Sequence, residues 1–455
     1  MQDWQTIAAV VIFVLAYVGI ASEKIHKTVV ALAGAVLMLL LGILNQHEAF
    51  HGHEGKPGMG VEWNTIFLLI GMMLIVSIMR ETGVFQWVAI KSAKVAHGEP
   101  IRIILLLSGV TAVLSALLDN VTTVLLIAPV TILIAESLDV DPVPFLVCEI
   151  LASNIGGTAT LVGDPPNIMI AGPTGFSFVE FVVRLTPPIV VVFAAYALTI
   201  WIALRKRIHV SDEKRETVMA FDETRAITDR PLLIKSLIVL GLTLFGFMVH
   251  GAFGLEPATI ALSGATLLLL VSKRHPLKHL EEVEWATIFF FIGLFIMVSA
   301  LVKRGIITIL AGKLFQITAG NRTVLVMVIL WLSAVVSGIV DNIPYTATAI
   351  PVIFSVSAEM LGPGAAALTD RALAHHALVQ PLWWALALGA CLGGNFTIIG
   401  ASANVVVAGI SEKSGHRITF GRFLKYGIPL TLQSLVISTA YVWLLLRLSA
   451  GAVGP

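Results

Sequence analysis

Charge is scarce in this chain. Asp, Glu, Lys and Arg make up 13% of its 455 residues, whereas 57% are hydrophobic. A soluble domain carries roughly a quarter charged residues to cover its surface, so a water-soluble globule is excluded. Cysteine is nearly absent: Cys148 and Cys391, both in apolar surroundings, offer no disulfide framework. The net charge of +1 gives no reason to expect a nucleic-acid partner. No Gly-Lys-Ser/Thr phosphate loop is present, so the chain itself is not expected to hydrolyse ATP, and no separate ATPase partner can be inferred. Alternating strand patterns are missing, which argues against a membrane barrel. The first apolar run, Thr6 to Ile20, has an acidic lead-in and no clear small-residue cleavage site. A retained helix is expected there rather than a signal peptide.

What the chain does have is a succession of apolar runs, many near the ~20 residues that span a bilayer. The expected class is an all-α polytopic membrane protein of the plasma (inner) membrane, in contact with lipid. The one long polar stretch, 205–230, falls near the middle. It suggests a first repeat over 1–204, a connector at 205–230 and a second repeat over 231–455.

Internal alignment supports that division. VEWNTIFLLIGMMLIVSIMRETG (61–83) matches VEWATIFFFIGLFIMVSALVKRG (283–305), and the same spacing pairs Ser115 with Ser337, Asp119-Asn120 with Asp341-Asn342, and Pro129 with Pro351. After an insertion in the second half, GGTATLVGDPPN (156–167) matches GGNFTIIGASAN (393–404). Lys and Arg placement then sets orientation. Lys24, Lys27, the connector, Lys273/Arg274/Lys278 and Lys413/Arg417/Arg422/Lys425 are expected on the cytoplasmic side, and the 45–60 loop outside. Lys303, Arg304, Lys313 and Arg322 fall outside in this scheme, against the trend. Loops 45–60 and 273–285 are equivalent in the two repeats yet lie on opposite sides, so the repeats have inverted topology. His47, Glu48, His51, His53 and Glu54 of the outer loop fit no fixed metal motif and read as a solvated loop; no metal site is expected. Residues 84–96, VFQWVAIKSAKVA, read as an interfacial amphipathic helix with Trp87 and Lys91 as anchors.

Each repeat carries two polar interruptions. The first is a re-entrant helical hairpin, 101–137 with Asp119-Asn120 at its tip, or 323–361 with Asp341-Asn342. The second is a broken transmembrane helix, 143–172 or 380–410, interrupted by the Gly-Gly segments above. Gly favours non-helical geometry and Pro lacks the N–H, and unwound backbone at membrane depth survives only where it lines a polar cavity. Four breaks are therefore expected to converge near the bilayer midplane. An ionised carboxylate there is costly, so Asp119 and Asp341 are the leading coupling candidates. Glu149 and Asp164 are further candidates present in one repeat only, opposite Leu386 and Ala401; Asp164 is equally placed to cap the helix restarting at Pro165. The expected solute-binding set is Asn120, Thr122, Thr123, Asn154, Gly156, Gly157, Thr158, Thr160 and Asn167 in the first repeat. In the second it is Asn342, Thr346, Gly393, Gly394, Asn395, Thr397, Ser402 and Asn404. No organic cofactor is expected; protons or Na⁺ are the coupling ions such a site would use. Cys391 reads as a small buried filler.

LLDNVTTVLLIAPVTI, SNIGGTATLVGDPPNIMI, DNIPYTATAIP and ALGACLGGNFTIIGASANVVVAGI together resemble the P protein (pink-eyed dilution) branch of the ArsB/NhaD group. That group lies within the ion transporter superfamily, alongside dicarboxylate and citrate carriers. The resemblance implies a scaffold domain, a transport domain holding the hairpins and broken helices, an elevator-like motion and often a homodimer. In the dicarboxylate branch, Ser-Asn-Thr motifs at the hairpin tips clamp substrate. Here Asp119-Asn120-Val121-Thr122 and Asp341-Asn342-Ile343-Pro344 stand in those places. Two carboxylates would repel a dianion, suit Na⁺ or H⁺, and tolerate a neutral polyhydroxyl such as arsenous acid. The expected function is thus proton-coupled efflux of arsenite or antimonite, with sodium–proton antiport as the alternative and anion or dicarboxylate/citrate transport as a third. Paired intramembrane acids also suggest an aspartyl protease, but no Gly-x-Gly-Asp signature surrounds either, and a transporter rather than an enzyme is expected.

Overall fold

The computed structural model describes residues 3–22, 24–52 and 58–452, and the described chain is helical without strands. His53 and Glu54 of the outer-loop cluster lie outside the described residues. The first half runs α1 (Asp3–Ser22), α2 (Lys27–Leu40), α3 (Gln46–His51), α4 (Trp63–Arg80), α5 (Val84–Val95), α6 (Pro100–Leu117), α7 (Asn120–Ser137), α8 (Val143–Gly157), α9 (Pro165–Thr174) and α10 (Phe178–Leu204). The connector folds as α11 (Asp212–Met219) and a 3₁₀ turn at Glu223–Ala226. The second half runs α12 (Arg230–Val249), α13 (Pro257–Ser272), α14 (Pro276–Glu281), α15 (Trp285–Lys303), α16 (Ile306–Ile317), α17 (Arg322–Val340) and α18 (Asn342–Leu361). It continues through α19 (Asp370–His375), α20 (Gln380–Gly393), α21 (Ser402–Lys413) and α22 (Phe420–Ala452). Helix for helix, α12–α18 repeat α1–α7, α19 is inserted, and α20–α22 repeat α8–α10. Among the described residues nine helices are long and apolar enough to cross a membrane.

The equivalent helices α4 and α15 run antiparallel. The end of α4 meets the start of the second: Glu81 pairs with Lys278 and with Arg274 at 3.4 Å. The end of α15 returns to the segment before the first: Lys303 pairs with Glu48 at 2.6 Å, and the Gly60 N–H donates to Ser299 at 2.7 Å. That arrangement is inverted topology seen directly. Each of these two interior helices is crossed by a helix of the other repeat, α13 on α4 and α2 on α15. Lipid tails are as apolar as leucine, so close packing must replace a hydrophobic drive. Gly71 and Gly293, equivalent residues, allow it. A Cβ on Gly71 would sit 2.7 Å from the Ala261 backbone, and one on Gly293 the same distance from that of Ala31.

The hairpins are re-entrant. The foot of α6 lies beside the connector, with Gly98 against Arg215, and the foot of α7 does too, with Asp139 3.6 Å from Lys214. Both feet therefore share one face. The second hairpin stands on the opposite face: Arg322 at the start of α17 donates to the Leu378 carbonyl at 3.0 Å, and α18 leads directly into the same 362–378 segment. There Arg371 pairs with Glu256 at 2.7 Å, in the α12–α13 turn.

The amphipathic α5 holds the connector. Glu223 accepts from Lys94 at 2.5 Å and Lys91 at 3.1 Å. The Lys94 bond first, then a backbone N–H and Lys91, hold its carboxyl down to about 2. A depressed carboxylate contributes above its ordinary value and is lost as pH falls through the folded one, so this tie is complete at neutral pH and fades toward pH 2. Glu223→Gln is expected to speed limited proteolysis of 205–230 by about two- to fivefold, the scale of an exposed ion pair. An unchanged cleavage rate would show that other contacts dock the connector.

Candidate transport site

Each hairpin turns on an aspartate that caps its second arm. Asp119 accepts the Thr122 N–H at 2.8 Å and Asp341 the Ile343 N–H at 3.0 Å, satisfying orphan donors at the two helix starts. Asp341 does so at φ 103°, a region costing a non-glycine residue about 1–3 kcal/mol. Surrounding bonds hold it there. Lys27 lies 3.3 Å from its carboxylate and the Ser402 hydroxyl donates to it at 3.1 Å.

The broken helices are pinned to the hairpins by bonds that repeat with the sequence. Ser115 donates to the Ser153 carbonyl at 2.7 Å, and its equivalent Ser337 to that of Ala390 at 2.6 Å. Thr160 donates to the Ala116 carbonyl, and its equivalent Thr397 to that of Gly338. Unwound carbonyls need donors inside the membrane. Asn167 supplies them to Thr158 at 3.1 Å and Thr160 at 2.8 Å; Asn404 supplies them to Gly394 at 2.7 Å and Thr397 at 2.9 Å. The glycines make room: a Cβ on Gly157 would be 2.5 Å from the Gly163 carbonyl oxygen.

Where the four breaks meet, the two tips converge on Asp164. Its side chain makes no helix cap. Instead its Oδ1 accepts the side-chain amide of Asn120 at 3.1 Å and that of Asn342 at 3.1 Å, and the residue is fully buried. Asn120 also donates to Asn154 at 3.1 Å, and Asn154 donates onward to Asn395 at 2.8 Å and Asn404 at 2.9 Å. Cys391, at the position equivalent to Asn154, places its thiol 3.6 Å from Asn167. Asn120 Oδ1 and Thr123 Oγ1 are buried without a hydrogen-bond partner. An unpaired amide oxygen on a group already touching a carboxylate is the hard oxygen donor set that a small cation takes.

A cavity of about 420 Å³ opens beside this network, lined by Lys27, Asp119, Pro165, Glu284, Asp341 and Ser402 among others. The α1–α2 and α14–α15 turns frame it, which puts its mouth on the connector face. The equivalent place in the other repeat, between Asn64, Thr65, Ile168, His250, Glu256 and Ala258, holds only about 20 Å³. The molecule is thus open on one face and shut on the other.

Of the residues singled out from sequence, Asp119, Asp341 and Ser402 border the cavity. Asp164, Asn120, Asn154, Asn167, Asn342, Asn395 and Asn404 form the amide network behind it. Thr158, Thr160, Thr346 and Thr397 spend their hydroxyls on backbone carbonyls. Gly156 and Gly393 are packing positions against α6 and α17, and Gly157 and Gly394 pack within the breaks. Thr122 faces a separate cavity of about 70 Å³ with Ser77, Arg80 and Glu282. Glu149 stands apart, taking the Thr131 hydroxyl at 2.5 Å between α7 and α8. Gln at 149 keeps that acceptor, so Glu149→Gln is expected to hold transport within about threefold, the scale of one neutral hydrogen bond. A tenfold loss would put Glu149 on the pathway. Sequence reasoning missed Lys27 and Glu284. Lys27 read as a positive-inside surface residue, and its only signal was its place at the start of a helix with an apolar equivalent, Pro257.

The sequence profile described as citrate transporter matches residues 17–389. The chain belongs to the citrate transporter family. Two similar proteins are named only as transporters or membrane proteins: an uncharacterized transporter of Mycobacterium tuberculosis is 46% identical over 96% of this chain and 98% of its own length. The 46 kDa membrane protein of Mycobacterium leprae is 44% identical with the same coverage. The human P protein is 32% identical over 97% of this chain, which spans 60% of that relative. In fold, the crystal structure of the Alcanivorax borkumensis YdaH transporter, described as having an unusual topology, matches 92% of this chain and 98% of its own, with a TM-score of 0.55 at 13% identity. This member of the citrate transporter family is a polytopic membrane protein and a secondary transporter.

Proposed function

We propose that this transporter, of the ArsB/NhaD type in the plasma membrane, exports arsenite or antimonite as neutral hydroxides in exchange for protons. One observation carries the reading: the 420 Å³ cavity holds three carboxyl groups, Asp119, Asp341 and Glu284, against the ammonium of Lys27. Such a surface repels a multiply charged anion and accepts a cation, a proton or a neutral polyhydroxyl. The connector is taken as cytoplasmic, so the cavity faces the cell interior. Asp164 is the coupling acid. Ionised, its Oδ1 draws the Asn120 and Asn342 amides of both tips together; protonated, the carboxyl is a neutral and weaker acceptor and the tips loosen. The hairpins and broken helices then move as a transport unit against a scaffold built on α2, α4, α13 and α15, within a homodimer, closing one vestibule while the other opens.

Three observations favour other cargoes. The family's description and the ammonium of Lys27 favour citrate, carried protonated or metal-neutralised. The unpaired Asn120 oxygen beside Asp164 favours sodium–proton antiport. Proteoliposomes under an imposed pH gradient separate these readings, with arsenite, Na⁺, Li⁺, chloride and citrate supplied in turn. Arsenite-evoked proton movement is expected. Movement evoked by Na⁺ alone or by citrate alone would replace the cargo, and no response to any would reject the transport reading for this panel.

A further inference from the structure

We propose that Lys27 is a latch: a tethered cation that holds the second hairpin against the scaffold in the state open to the connector face, and that must let go before the hairpin moves. The inference rests on the transport reading above and names a residue which that reading leaves without a role.

The geometry is specific. Lys27 begins α2, a helix packed along α15. From there its ammonium reaches three groups: Asp341 at 3.3 Å, the Ser402 hydroxyl at 2.6 Å, and the Phe290 ring at 5.0 Å from the centroid. Asp341 is the tip of the α17–α18 hairpin and Ser402 the first residue of α21. One side chain thus ties the hairpin and the broken helix of the second repeat to a helix of the scaffold. Tyr17 on α1 adds a parallel tie, donating to the Pro344 carbonyl and sharing a hydrogen bond with Thr348 at 2.6 Å. The first hairpin has no matching device among the described residues: Pro257 stands at the place equivalent to Lys27, and Asp119 is in no ion pair.

Any motion of the hairpins past α2 must break the Lys27–Asp341 bond. A bare ammonium and carboxylate left apart in a partly dry cavity are costly, so the step is eased when another cation takes the carboxylate. A metal cation arriving from the cavity does this, and Lys27 is then free to remain solvated. The groups facing Asp341 are Tyr17 from α1, His26 and Lys27 at the start of α2, Asp119 from the other tip, Asp164 from the break, and Glu284 before α15, with Tyr345 on its own helix. Among these Lys27 is the permanent cation. Removing it leaves Asp341 among acids with no cation to hold it to α2.

The test uses the full-length protein in proteoliposomes. Val405→Cys places a thiol in the cavity wall, on α21, while the native cysteines are buried. Labelling by a membrane-impermeant maleimide from the connector side reports the open state, with the protein lacking Val405→Cys as background. Lys27→Met and Lys27→Gln are expected to slow labelling at least threefold, and Lys27→Arg to keep it near the parental rate. Equal labelling in all three, or an arginine variant that behaves like methionine, overturns the latch. If the wild type moves no cargo at all, the transport reading fails, while the labelling rates still decide the latch.

Discussion

Asp164→Asn is expected to lower coupled transport by at least about 100-fold while leaving a folded, monodisperse protein. Asp164 Oδ1 takes an amide N–H from each hairpin tip. A hydrogen bond to a charged acceptor contributes about 1.5–3 kcal/mol against about 0.5–1.5 for a neutral one, and about 1.4 kcal/mol is a factor of ten, so neutralising the acceptor of both bonds gives a loss of that order. Asparagine keeps the size, but its single oxygen is a neutral acceptor for the two amides, and its N–H₂ would take the place of Oδ2, 3.4 Å from the Asn342 amide. It also cannot carry a proton. Flux assayed in proteoliposomes, with cargo binding measured separately, distinguishes the two losses. Transport within tenfold of wild type would remove Asp164 from the coupling step.

The second large effect is structural. A Cβ on Gly156 would lie 2.1 Å from the Ala112 carbonyl oxygen, and one on Gly393 2.4 Å from that of Ala334. These equivalent residues let each broken helix press its backbone against the first arm of its own hairpin. Backbone cannot swing aside as a flexible side chain can, so Gly156→Ala and Gly393→Ala should exceed the usual overpacking cost of about 1–3 kcal/mol. Both are expected to lose monodisperse protein on extraction or to unfold at markedly lower temperature. Gly241→Ala in α12, where no atom lies within 4 Å of the added carbon, is expected to be neutral or slightly stabilising by about 0.5–1 kcal/mol. If Gly156→Ala unfolds at the same temperature as Gly241→Ala, the close packing of the break is not required for stability.

The duplicated features were legible in the sequence because each appears twice in register. Asp119 with Asp341, Gly156 with Gly393 and Asn167 with Asn404 announced the hairpins, the breaks and the inverted plan. Features present once were harder to read. Asp164 has Ala401 as its counterpart and stands before two prolines, so a helix cap was an equal reading. Only the folding of residues 120 and 342 onto one carboxylate shows where its acceptors go. Lys27 is an extreme case: its partner is 314 positions away, and a lysine at the end of an apolar run otherwise marks the cytoplasmic boundary. The threonines have a second task that the sequence did not show. Thr158, Thr160, Thr346 and Thr397 lie in the breaks and tips, as expected, but they close backbone hydrogen bonds that unwound helices leave open.

In the mechanism proposed here, one buried carboxyl gathered between both hairpin tips carries the exchanged proton. The most direct measurement is cargo-evoked proton release from the purified protein in weakly buffered detergent solution, followed with a pH-sensitive dye, for the wild type and Asp164→Asn. A release from the wild type is expected on adding the cargo that drives flux, and none from Asp164→Asn at saturating cargo. A release of equal size from both proteins would contradict it.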